Sequence, residues 1–190
     1  MYRWIVLVVM TCWFFPVRAG QVDAPSDEVY AAMEARCAAS QPKVFCSCFA
    51  SRLRTGIADG SLKLASLDQE QTDGITRDCL ISTGIVRRWR NEAIRLCYFD
   101  SIEAFSAAQG GQAELEALRR QYPQKRARCD CMQRGLEAFD DLAFFKQMEE
   151  ADANFRSKVE CKIDGGDEQQ CEKRFGPTAA EELEAKCEAL

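Results

Sequence analysis

The sequence predicts an all-α fold: a disulfide-stapled helical bundle of two related three-helix modules plus a C-terminal helix. Three observations predict it. Alternating apolar and polar runs are missing, and β-branched residues are sparse after the first twenty positions, so no convincing strand can be drawn. Apolar residues instead recur three and four apart between Gly-, Pro- and Ser-rich breaks. The chain also carries 11 cysteines in 190 residues. Four of them form two Cys-X-Cys pairs, Cys46/Cys48 and Cys129/Cys131, in similar settings.

The first residues predict export. Arg3 supplies a positive start, residues 4–15 are apolar apart from Thr11 and Cys12, and Pro16 ends the run. Val17 and Ala19 place small residues where a signal peptidase reads, so cleavage is expected after Ala19. The apolar run is shorter than the roughly 20 residues a spanning helix needs, and no stable membrane span is expected after cleavage. Loss of Cys12 leaves Cys37, Cys46, Cys48, Cys79, Cys97, Cys129, Cys131, Cys161, Cys171 and Cys187. An even number of cysteines in an exported chain implies disulfides, because that compartment is oxidising. The expected location is periplasmic or secreted, and the Ala-, Arg- and Glu-rich composition favours a bacterial periplasm.

The elements follow in order. Ser26 is the expected N-cap of a first helix, with Asp27 and Glu28 favourably placed against the helix dipole. Tyr30, Met33 and Cys37 share its apolar face, and Pro42 stops it. A second helix is expected over 46–57, with Phe49, Leu53 and Ile57 four apart. Ser66 with Gln69 reads as a capping box opening a third helix that runs to about residue 82. One long amphipathic segment is expected over 85–107, carrying Trp89, Ala93, Leu96, Cys97, Phe99, Ile102 and Phe105. Gly110 and Gly111 stop it. A helix over 112–121 ends before Pro123, and 129–139 repeats the second helix. One or two helices should cover 141–161, capped by Asp140 or Asp141. A loop follows at 164–169, and Thr178 with Glu181 caps a last helix bearing Leu183, Cys187 and Leu190. The total is seven or eight helices. The expected organisation is a signal peptide at 1–19, modules at 20–84 and 85–165, and an acidic C-terminal helix at 166–190.

The modules read as diverged copies. Setting Cys46 on Cys129 brings Cys48 onto Cys131 and Leu53 onto Leu136, and one gap then pairs Asp59 with Asp141, Leu62 with Phe144 and Cys79 with Cys161. Each helical residue turns about 100°, so cysteines two apart point roughly 200° apart. Such a pair cannot readily close on itself but can fasten one helix to two neighbours. Cys46 and Cys48 are therefore expected to take Cys37 and Cys79. Cys129 and Cys131 should take Cys97 and Cys161, and Cys171 should bond Cys187.

Composition narrows the function. The chain has 25 basic and 30 acidic residues. Losing Arg3 and Arg18 leaves 23 against 30, a net charge of −7 that disfavours nucleic acid as a partner. With no histidine, Ser–His–Asp and Cys–His catalysis and the usual zinc hydrolase sites are ruled out. Asp140/Asp141 and Glu149/Glu150 could serve as paired carboxylates, but adjacent acids on exposed helix positions are far more often solvating. The expectation is a non-catalytic protein without a cofactor or metal. Basic residues concentrate between 87 and 134, ten against six acidic, whereas 164–190 holds three against eight. Two basic stretches interleave arginine with aromatics, the usual anchor types at protein interfaces. Arg87, Arg88, Trp89, Arg90, Arg119, Arg120 and Tyr122 are the candidate residues for binding another protein, this chain acting as an inhibitor, an immunity-type partner or an assembly subunit. Lipid headgroups or the protein's own acidic tail are other destinations for these charges. The alternative function is a thiol redox or soft-metal (copper) binding protein of the cell envelope, since thiolates hold Cu(I). No Cys-X-X-Cys occurs to support it.

Overall fold

A computed structural model of the protein describes residues 25–189. The export signal and Leu190 lie outside the described residues. Among the described residues there are ten α-helices, two short 3-10 turns and no strand. They form two compact units that divide between Ile85 and Val86.

The first unit is three helices: α1 (Asp27–Cys37), α2 (Lys43–Ala58) and α3 (Gln69–Ser82). Its core gathers Tyr30, Phe45, Cys46, Ala50, Leu53, Cys79 and Leu80. Helix α2 starts three residues earlier than its apolar spacing implies, because Pro42 fixes an extended backbone immediately before it. The capping box of α3 is Asp68 with Gln71, not Ser66 with Gln69. The backbone N–H of Gln71 donates to Asp68 Oδ1 at 2.8 Å, while residues 64–66 form a 3-10 turn. Both pairs have the same spacing, and the carboxylate takes the cap. Two disulfides close the unit as expected: Cys37–Cys46 joins α1 to α2, and Cys48–Cys79 joins α2 to α3.

The second unit departs from a three-helix repeat. It contains α4 (Ile85–Leu96, entering from the last residue of the first unit), α5 (Ile102–Ala107), α6 (Leu115–Gln121), α7 (Arg126–Glu137), α8 (Asp141–Ile163), α9 (Glu168–Phe175) and α10 (Ala179–Glu188). The single helix expected over 85–107 is broken. Ser101 caps a new helix by accepting from the Ala104 N–H at 3.1 Å. Tyr98 turns inward to a core with Leu118 and Cys129. Helix α8 is unbroken, with Asp140 as its cap, and α9 occupies residues for which the spacing predicts no separate helix. The Thr178/Glu181 capping box of α10 is present as expected.

The bridges of this unit are Cys97–Cys129, Cys131–Cys187 and Cys161–Cys171. The first matches expectation. The expected Cys131–Cys161 and Cys171–Cys187 pairings are wrong, and helix register explains why. At 1.5 Å per residue, Cys48 lies about 15 Å before the end of α2 and Cys79 about 15 Å after the start of α3, level across an antiparallel hairpin. Cys131 lies only about 9 Å before the end of α7, whereas Cys161 lies about 30 Å into α8. The overshoot of about 20 Å leaves Cys161 to the returning helix α9, and α10 supplies Cys187 to α7.

Gly110 is buried beneath the edge-to-face pair of Phe99 and Phe105, whose centroids are 5.4 Å apart. A Cβ there would fall 2.5 Å from Phe105 and 2.9 Å from Phe99. The two rings hold each other, so neither can withdraw without breaking the pair. Gly110→Ala is expected to lower stability by about 1–3 kcal/mol in urea denaturation. Gly74→Ala, at an open position inside α3, should raise it by up to about 1 kcal/mol.

Candidate binding face

Helix α4 is strongly amphipathic. Ile85, Val86 and Ile94 are buried on one side, and Arg87 and Arg88 are exposed on the other. Trp89 and Arg90 are half-buried between them. Arg90 reaches the turn between α7 and α8: its Nη1 donates to the Phe139 carbonyl at 2.6 Å, and Nη2 lies 3.0 Å from Asp141 Oδ1. Arg87 Nη2 is 3.4 Å from Asp141 Oδ2 but stays largely exposed. Asp141 therefore receives two arginines at the first turn of α8, while the neighbouring Asp140 caps that helix through Ala143 N–H at 2.7 Å. Of the acid pair Asp140/Asp141, the first caps its own helix and the second fastens α8 to α4.

Arg119 and Tyr122 belong to a second grouping, on α6 and the turn after it. Arg119 Nε donates to Asp130 Oδ1 at 2.9 Å and Nη2 to Gln133 Oε1 at 2.8 Å, and Nη1 pairs with Glu116. The hydrogen bond to Asp130, then that to Glu116, raises the guanidinium pKa, so this charge is fixed. Tyr122 packs on the Tyr98–Leu118–Cys129 core, its ring 5.8 Å from that of Phe99. Arg128, in the same basic stretch, lies 3.2 Å from Glu184 and 3.0 Å from Glu188. One alternative destination for the basic stretches, the protein's own acidic tail, is thereby occupied.

Arg88 and Arg120 differ from their neighbours. Both are exposed, and neither makes a contact ion pair among the described residues. Arg88 interacts at longer range with Glu92. Burial pushes the Glu92 carboxyl above its ordinary pKa, against the lowering effect of Arg88 and Arg95. The sequence pattern could not separate Arg88 and Arg120 from Arg90 and Arg119, because Asp130 and Asp141, which tie the latter to other helices, lie 11 or more residues away in the chain, and the local Glu116 is within helical reach of Arg119 and Arg120 alike.

A small crevice of about 20 Å³ opens among α7, α8 and α10, lined by Leu136, Phe139, Phe144, Gln147, Met148, Ala151 and Ala180. All ten described cysteines are disulfide-bonded. Among the described residues, no three His, Cys, Asp or Glu side chains converge in a way that could hold a metal ion. No described helix is long and apolar enough to cross a membrane. No protein-family model, curated protein or solved structure matches this chain.

Proposed function

We propose that this is an exported, non-catalytic, disulfide-stabilised helical protein that binds an acidic face of another protein through Arg88 and Arg120, with Trp89 and Tyr122 as the adjoining aromatic anchors. The observation that carries this reading is the contrast among the arginines. Arg87, Arg90 and Arg119 hold helices together, whereas Arg88 and Arg120 keep their charges exposed on helices made rigid by those neighbours. Side chains presented from a fixed scaffold lose less entropy on binding than those on a mobile loop. Five disulfides support residence in an oxidising compartment, and removal of the signal after Ala19 would release the protein into the periplasm or the medium.

The test is the double variant Arg88→Glu/Arg120→Glu, probed for capture of partners from envelope extract. Its unfolding free energy is expected to stay within about 0.5 kcal/mol of wild type, since neither residue holds the fold together. Capture of any specific partner should fall at least tenfold. Retained capture at unchanged stability would remove these residues from the reading.

A further inference from the structure

Two amide oxygens in the second unit are closed off from solvent and have no hydrogen-bond donor: Gln147 Oε1 and Asn154 Oδ1. They are seven residues apart on α8 and so share one face. The other end of each amide fixes its orientation. Gln147 Nε2 donates to Glu150 Oε2 at 3.1 Å, and Asn154 Nδ2 donates to the Gly176 carbonyl at 3.1 Å. That face looks onto residues 176–180, which lead into α10. Gly176 meets Asn154 there, and Ala180 lines the same crevice as Gln147. The accessible wall of the crevice is apolar, so the Gln147 oxygen is not open to it.

The ties on the two sides of α10 are unequal. Toward α7 it is held by the Cys131–Cys187 bridge and by Arg128 at Glu184 and Glu188. Leu183 also sits so close to Gly135 that a Cβ there would fall 2.4 Å from it. Toward α8, Lys158 Nζ lies 3.5 Å from Glu181 Oε1, beside the crevice and the two oxygens. Cys161–Cys171 ties α8 to α9, and Gly176, with φ of +65°, links α9 to α10.

We infer that the second unit opens locally along the seam between α8 and α10. The α8–α9 hairpin swings from the Asp141 end of α8, which Arg90 holds in place, with Gly176 as the second pivot, while α10 stays on α7. A buried acceptor without a donor favours whichever state lets water reach it, and local openings lie well below global unfolding in free energy. The opening hydrates both oxygens and turns the crevice into a groove floored by Phe144, Met148 and Ala151.

Methyl relaxation dispersion on the intact oxidised protein tests this, because it reports microsecond-to-millisecond exchange. Dispersion is expected at the methyls of Met148, Ala151 and Ala180, with a flat profile at Leu183 on the α7 side. Gln147→Met keeps the side-chain length and removes one acceptor, so the open population should fall about tenfold and the dispersion with it. Flat profiles at the three seam methyls in the wild type would overturn the proposal. So would dispersion that persists unchanged in Gln147→Met.

Discussion

Removing the Cys131–Cys187 bridge is expected to lower unfolding free energy by about 4 kcal/mol, more than removing any of the other four. The ranking follows from sequence separation. This bridge spans 56 residues, against 31 and 32 for Cys48–Cys79 and Cys97–Cys129, and 9 and 10 for the two shortest. Loop-closure entropy scales with the logarithm of that length, which gives about 3 kcal/mol for the Cys161–Cys171 bridge. The native state adds to the difference, because Cys187 is fully buried and its bond holds the last helix of the chain on α7. Paired Cys→Ala variants avoid stray thiols. Their urea midpoints, taken on oxidised protein whose intact mass confirms the remaining bridges, supply the comparison. Equal losses for the two pairs, or a smaller loss for Cys131/Cys187, would show that α10 is not held in the way described.

The sequence made the all-α class, the cysteine participants and the whole bonding scheme of the first unit legible. It did so because helix spacing and an even cysteine count are local or compositional signals. The second unit's scheme was partly accessible by the same means. Counting 1.5 Å per residue along α7 and α8 already places Cys161 out of reach of Cys131, provided α8 runs unbroken. That proviso was the obstacle, since "FDDLAFFKQMEEADANFRSKVEC" reads equally well as one helix or two. The break after Leu96 was hidden for the opposite reason. Its apolar spacing continues through Cys97, Phe99, Ile102 and Phe105 and masks the Ser101 cap, while the burial of Tyr98 that accompanies the turn is tertiary. The candidate face was legible as composition but not as individual roles. Arg90 and Arg120 look alike in sequence, and only the approach of Asp141 separates a fastening arginine from an exposed one.

Leu53→Ala and Leu136→Ala are each expected to destabilise the protein by about 2–5 kcal/mol. The two leucines hold corresponding places: each lies seven residues, or two helical turns, after the first cysteine of its Cys-X-Cys pair. That spacing puts Leu53 on the face of Cys46 and Leu136 on the face of Cys129. All four side chains are at most 2% exposed. The second cysteine of each pair, two residues on, points away and is only half-buried, bonding a later helix in both units. One face of the cysteine-bearing helix thus carries both a bond to an earlier segment and the leucine that fills the core beside it. Truncating the leucine removes apolar surface and leaves a cavity that a bridge anchored two turns away keeps from collapsing. Thermal or urea denaturation of the two variants measures the effect. A loss below about 1 kcal/mol at either position would mean that the bridges alone hold that helix and that the shared pattern of cysteine and leucine carries no packing role.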